Sequence, residues 1–424
     1  MGIVPKLKVN NKDFVWTFTA FGAVAVSGLV INQVIANQLG VIALGRYNML
    51  LAIVIIGGQI GAMGIHSSLL YHTPKARSEE TDTSEILHSG LWAITLTSTV
   101  TSLLIYIGGE IVLRWADNVY YLDGLRAIAL GLFLYPINKA LLAHINGLQK
   151  IRAFSILFSS RFILLAVMAI IASYWSSNDE ILPWSIAGAE MTLFLGLIFA
   201  NRSELSALRQ WRNSRKMIKR HLEYGRKGFL GSTLLDLNTR LDIILLGLIS
   251  GTRSVGVYSI ASLFAEGLYQ AAMVPRYNFD PVVTSLFIQS KISELQETIA
   301  KAKRQIYLIA IPLVVLSNLL YPIIIEFLFT KELANESWPV FLILSLGVGL
   351  SSGYIPFTNI LQQSGFPASQ SLLLVWMTLT NLTLNVALIP FLNVEGAALA
   401  TALSWLSIVF FLRKLSKKFL GFKV

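Results

Sequence analysis

The chain has 424 residues, 54% hydrophobic and only 13% charged, about half the charged fraction of a soluble domain. That balance describes a polytopic membrane protein, and the absence of cysteine excludes disulfides, thiolate nucleophiles and thiolate metal sites. The net charge of +11 would suit nucleic acid, but its distribution among the loops fits anionic lipid headgroups and requires no nucleic acid.

Apolar runs of about 20 residues recur along the chain, each long enough to cross a bilayer as a helix. Twelve are expected, near residues 14–36, 46–71, 86–108, 122–146, 152–174, 181–201, 228–250, 256–276, 305–329, 338–363, 367–390 and 395–412. The first is too long for a signal-peptide core and lacks a small-residue cleavage pattern, so it reads as a retained helix. With the N-terminus in the cytoplasm, the loops on that side collect 26 Lys and Arg. The opposite loops hold four, Arg46, Arg114, Arg253 and Lys331. The longest basic linker, "NRSELSALRQWRNSRKMIKRHLEYGRK" (Asn201 to Lys227), falls after the sixth run. It reads as a solvated hinge, with a partly interfacial amphipathic helix as the other reading.

The expected fold is therefore all-α, with twelve transmembrane helices in two six-helix bundles and both termini cytoplasmic. The bundles span residues 1–201 and 228–424, joined by 202–227. An internal repeat supports two halves: "GRYNMLLAIVIIG" from Gly45 resembles "GVYSIASLFAEG" from Gly256, at an offset of 211 residues. Six helices per half is an even number, so the repeats are parallel.

No P-loop or Gly-rich nucleotide fingerprint is present, which disfavours ATP-driven transport by this chain alone. The five histidines (His66, His72, His88, His144 and His221) show no metal-ligand spacing. The outer loops are too short to house a glycosyl-transfer site, so an enzyme is disfavoured and no cofactor is expected.

Ionisable residues inside spans are functional-site hypotheses. Arg240 and Asp242 fall near the middle of the seventh span, with Asp236 nearer the cytoplasm. Glu266 falls mid-way along the eighth and Glu190 along the sixth. Lys139 and Arg161 lie in the cytoplasmic halves of the fourth and fifth. Asp236 and Arg240 are four apart and share a helix face, whereas Asn238 and Asp242 lie about 200° around. Arg240 then either neutralises Asp236 or binds an anionic substrate, since guanidinium matches phosphate oxygens in a fork. Arg161 and Lys139 would extend that cationic lining. Asp242, Asp236 and Glu266 are candidates for coupling to H⁺ or Na⁺.

The segment "TRLDIILLGLISGTRSVGVYSIASLFAEGLYQ" (Thr239 to Gln270) resembles polysaccharide-export proteins, the O-antigen and capsule flippases of the multidrug/oligosaccharidyl-lipid/polysaccharide superfamily. Their seventh helix often reads R-x-D, followed by V-G-x-Y and an A-E-G-like eighth helix. "ALGRYNMLLAIVIIGGQIGAMGI" (Ala43 to Ile65) is similar to the matching segment of the first half. The resemblance implies alternating access by two six-helix bundles in the bacterial inner membrane. It also implies transfer of undecaprenyl-pyrophosphate-linked oligosaccharide between leaflets, with polysaccharide polymerase and chain-length machinery as candidate partners. Alternatives are a cation-coupled multidrug exporter or a lipid II flippase of the same superfamily, and, from another class, a polymerase or ligase, which the short outer loops oppose.

Overall fold

In a computed structural model, residues 11–79, 82–115, 119–175, 179–206 and 214–424 are described. Among them the chain is helical throughout, and nine helices are long and apolar enough to cross a membrane. The protein is an all-helical, multi-pass membrane protein.

The first half opens with α1 (Asn11–Leu39) and α2 (Val41–Ala62), joined at Gly40 with φ +87°. Only glycine adopts that backbone without steric cost. The run expected at 46–71 is interrupted, because Met63 (φ 42°) and Gly64 (φ 70°) turn the chain into α3 (Ile65–Ser78). Then come α4 (Thr83–Trp115), α5 (Val119–Gly147), α6 (Ile151–Trp175), α7 (Leu182–Ala200) and the short α8 (Arg202–Ser206). The basic linker forms α9 (Ser214–Asn238), followed by α10 (Leu241–Ser250), α11 (Thr252–Met273), α12 (Arg276–Ile288), α13 (Ile292–Leu328) and α14 (Lys331–Ser351). A 3-10 turn (Ile355–Phe357) and α15 (Ile360–Gln363) lead into α16 (Pro367–Leu420).

The last helix is two arms. Asn393 has φ 47° and ψ −120°, which breaks the helical ladder. Ser404 Oγ donates to Met377 O at 3.2 Å, and Asn381 Nδ2 to Thr401 Oγ1 at 3.4 Å. Gly396 packs on the Leu388 carbonyl. The partners converge on Asn393, so the second arm folds back on the first. α14 starts seven residues before the run expected at 338, because Thr330 caps it by accepting from Leu333 N. Hydropathy marks only the apolar part of a helix, so a capped polar first turn escapes it.

The chain divides into two compact units. Unit 1 comprises Met1–Gln38 with Ile53–Ser232, and unit 2 comprises Leu39–Ala52 with Thr233–Val424. The division cuts α2, whose first half belongs to unit 2. In unit 1, α5 packs on α3, α4 and α7 around Leu69, Ile86, Leu87, Ile94, Leu141 and Leu197. In unit 2, α14 packs on α11, α13 and α16. Apolar side chains also cover the outside: Leu96, Leu104 and Ile111 on α4, and Leu319, Ile323 and Phe327 on α13, are exposed. Such surfaces suit lipid, which leaves polar contacts and close packing to hold helices together. Ser98 Oγ on α4, for example, donates to Phe133 O on α5 at 2.6 Å.

The repeated glycines supply close packing in unit 2. A methyl group on Gly45 would overlap the carbonyl of Thr252, and one on Gly256 would overlap that of Val41. The tyrosines that follow them, Tyr47 and Tyr258, are both buried.

In unit 1 the first part of α9 is docked rather than solvated. His221 is fully buried, with Ser68 Oγ 2.9 Å from Nδ1, and Ile86 O and Ser89 Oγ 3.2 and 3.1 Å from Nε2. A carbonyl can only accept, so Nε2 carries the proton and Nδ1 accepts from Ser68. Burial, reinforced by His72, lowers the His221 pKa to about 4. Tyr224 stacks on Tyr71, and Gly225 meets the backbone of Met63 and Gly64.

Candidate functional site

Each unit holds a buried polar cluster built around an acid that the sequence places in an apolar run, Glu190 in unit 1 and Asp242 in unit 2. In unit 1, α5 brings Tyr135, Asn138 and Lys139 against α2, α6 and α7. Arg161 Nε on α6 lies 3.0 Å from Glu190 Oε1 on α7, and its Nη2 donates to Oε2 at 3.1 Å. The guanidinium lies over the Tyr135 ring, 4.2 Å from its centroid. Asn138 Nδ2 donates to Glu190 Oε2 at 2.8 Å and to its carbonyl at 2.9 Å. Both ionic partners are buried, Arg161 to 8% and Glu190 to 2% of side-chain exposure. Two opposite charges in one forked pair reduce the cost of leaving water, and Asn138 occupies further lone pairs of the carboxylate. Arg161, expected to line a substrate path, is thus ion-paired with Glu190. Lys139 Nζ donates to Gln59 Oε1 on α2, and the Gln59 Nε2 group is buried without a partner among the described residues.

In unit 2, the run expected as one helix at 228–250 is broken. α9 ends at Asn238, Thr239 and Arg240 form a turn, and Arg240 occupies the N-cap of α10 with φ −131°. Four-residue spacing therefore does not place Arg240 over Asp236 as it would on a continuous helix. The Asp236 side chain lies outside the described residues. The break leaves the first N–H groups of α10 without carbonyls one turn earlier, and the Asp242 side chain takes the one on Ile243.

Asp242, in the first turn of α10, is buried and three donors meet it. Ile243 N donates to Oδ1 at 2.9 Å, Tyr258 OH on α11 donates to Oδ2, and Thr401 Oγ1 on α16 lies 3.3 Å from Oδ2. Asn381 reaches Thr401 Oγ1, and Asn385 Nδ2 donates to the Asn381 carbonyl and Oδ1 at 2.9 and 3.1 Å. Asn385 Oδ1 is buried with no partner among the described residues. Arg240 acts electrostatically on Asp242 and on Glu266, which is exposed on α11. Carboxylate, hydroxyl and amide oxygens gathered around one acid form a donor set of the kind hard cations take. The same acid can hold a proton.

Unit 1 therefore brings together Arg161, Glu190 and Asn138, and unit 2 brings together Asp242, Tyr258, Thr401, Asn381 and Asn385. Sequence reasoning placed Asp242 and Glu190 in the membrane but missed their partners. Asn381 and Asn385 carried a signal, two amides one turn apart in an apolar run. Tyr258 carried another, as the tyrosine of the repeated Gly-x-Tyr. Among the described residues, no group of three or more His, Cys, Asp or Glu is placed to hold a metal ion.

A family model for polysaccharide biosynthesis proteins matches residues 34–337. The chain is 25% identical over 385 residues to the probable flippase AglR of Haloferax volcanii, covering 89% of this chain and 77% of that one. Among solved structures, it resembles a lipid II flippase MurJ in an inward closed conformation, with a TM-score of 0.73 at 16% identity, over 96% of this chain and 87% of that one. It also resembles an inward-facing multidrug resistance MATE family transporter of the MOP superfamily, with a TM-score of 0.70 at 14% identity, over 93% and 96%. At such identities the structures establish a shared fold.

Proposed function

The chain belongs to the polysaccharide biosynthesis protein family, and we propose that it flips undecaprenyl-pyrophosphate-linked oligosaccharide across the bacterial inner membrane by alternating access, feeding O-antigen or another surface polysaccharide. It is a membrane transporter and not an enzyme. The observation that supports the substrate class most is the break before α10. There, Arg240 occupies the N-cap of a half-helix, so a cationic residue coincides with the positive end of a helix dipole, an arrangement suited to phosphate oxygens. Asp242 and its oxygen-rich surroundings are the proposed site for the coupling H⁺ or Na⁺, with the unpartnered Asn385 Oδ1 as a further cation donor. Glu266, and Asp236 further along α9, remain candidates for the same exchange, and Lys139 for a second contact to the head group. Arg161 supports this reading only indirectly, by fixing Glu190.

The proposed topology takes α1, α2, α4, α5, α6 and α7 as six spans. It takes α9 with α10, α11, α13, α14 and the two arms of α16 as six more. An even count puts both termini on one side, and the basic loops assign that side to the cytoplasm. The flipped product would pass to polymerase and chain-length machinery.

Deleting the gene tests the function. Lipid-linked oligosaccharide should build up on the cytoplasmic leaflet, whereas single unpolymerised units on the cell surface would overturn the flippase reading. The lipid II flippase alternative shares the pyrophosphate chemistry and is favoured by the MurJ-like fold. It requires that the deletion block peptidoglycan synthesis instead.

A further inference from the structure

The docked linker helix presents a face that transport does not explain. Along α9, His221 and Gly225 are buried and Met217, Ile218 and Leu222 pack on the unit 1 core. The remaining face exposes Arg215, Lys216, Lys219, Arg220 and Arg226 against one carboxylate, Glu223, which lies 3.8 Å from Lys219. We propose that this face is a docking surface for the anionic phospholipid headgroups of the adjoining leaflet.

Depth supports the lipid as occupant. His221 touches Ile86 O and Ser89 Oγ, in the first turns of the membrane-crossing stretch Thr83–Ile111. At 1.5 Å per residue, the backbone from Arg215 to Arg226 lies within about 10 Å of that level whatever the tilt of α9. A bilayer with its headgroups is about 40–45 Å thick around a core of about 30 Å, so long Lys and Arg side chains on this face lie within reach of the headgroup layer. Charge complementarity is the second argument. Four or more Lys and Arg on one helix face at a membrane surface attract anionic lipid. Rigidity is the third. The His221 hydrogen bonds, the Tyr224–Tyr71 stack and the backbone contact at Gly225 hold α9 from the opposite side, so the cations stay in place without lipid. The inference does not depend on which molecule the protein flips.

The test uses the full chain purified from membranes and placed in vesicles of phosphatidylcholine, with and without phosphatidylglycerol. Native mass spectrometry of the wild type should show retained phosphatidylglycerol in preference to phosphatidylcholine, and retention should fall as salt rises, because exposed charges are screened. The triple variant K216E/K219E/R226E should lose that preference. The charge-keeping variant K216R/K219R/R226K should keep it. If the charge-reversed chain does not fold, K216Q/K219Q/R226Q replaces it, and the salt titration of the wild type stands by itself. Equal retention of the two lipids by wild type, salt-insensitive retention, or unchanged preference in the reversed variant would overturn the proposal. So would an equal loss of flipping by the reversed variant in purely zwitterionic and in anionic vesicles, which would assign the face to the transported substrate.

Discussion

Arg161 and Arg240 show how differently two membrane arginines can be used. Arg161 is paired with Glu190 on two edges, so removing either partner leaves a buried charge. Arg161→Ala should destabilise the chain by about 3–5 kcal/mol, whereas replacing both partners with apolar residues of similar volume should restore most of that. Thermal unfolding in detergent measures both, and a double variant no more stable than the single one would show that the pair is not the cause. Arg240 heads a half-helix and acts electrostatically on Asp242 and Glu266 without a forked pair among the described contacts. Arg240→Ala should abolish export with normal membrane insertion, while Arg240→Lys, which keeps the charge and loses the fork, should retain part of it. Surface polysaccharide at wild-type level in Arg240→Ala cells would remove the ligand role. Which charged residues fall within apolar runs was legible from the sequence; their pairing was not. Glu190 lies 29 residues from Arg161, and Thr401 lies 159 from Asp242, so only tertiary packing joins them.

At the scale of elements, periodicity and hydropathy located the apolar runs but not the breaks inside them. The turn at Thr239–Arg240 has no proline or glycine, and the residues on either side read as one apolar run with charges on two faces. The reversal at Asn393 was better marked, since asparagine tolerates the left-handed region and sits between two apolar runs. The docking of α9 yields two predictions. Gly225→Ala places a methyl group against the Met63 carbonyl, and overpacking of this kind costs about 1–3 kcal/mol. A spin label at Lys219→Cys, unique in a chain without cysteine, should become more mobile in that variant. Unchanged mobility would mean that the turn at Met63–Gly64 yields instead.

The second prediction is a pH dependence. His221 is neutral when docked, with its pKa depressed from 6.5 to about 4, and it faces His72, itself near Lys75 and Arg220. Undocked, it takes up a proton more readily. Docking should therefore be constant above pH 6.5 and weaken as pH falls from there towards 4. The same label should report this loosening in the wild type, and a His221→Gln variant should lack the response. Equal pH profiles in the two would exclude His221 as its source.

For the whole molecule, the helical membrane class was visible from composition, while the sidedness of charge belongs to the proposed topology. In that proposed topology the ion pairs would add a physical reason for the bias. On the side it assigns to few cations, Arg114 pairs with Glu110 at 2.7 Å, and Arg253 pairs with Glu332 and Glu336 at 2.9 and 2.6 Å. Those charges are neutralised locally, while the cations of α9 face outward in excess. Transport across such a molecule needs a driving force, and Asp242 is the proposed entry for it. Asp242→Asn should leave the chain folded and remove dependence on the proton or sodium gradient in inside-out vesicles. Gradient dependence equal to wild type would exclude Asp242 from coupling.

The division of α2 between the two units has a consequence for biosynthesis. Its first half meets its partners, Gly247, Thr252 and Gly256, only after about 200 further residues have been translated, roughly 10–40 s at common elongation rates. During that interval the notch of Gly45 waits in the bilayer for a backbone that does not yet exist. The nascent first half should therefore depend on an insertase or chaperone that shields unpaired membrane helices. Slowing translation between the two glycines should prolong that dependence more than slowing it after Gly256.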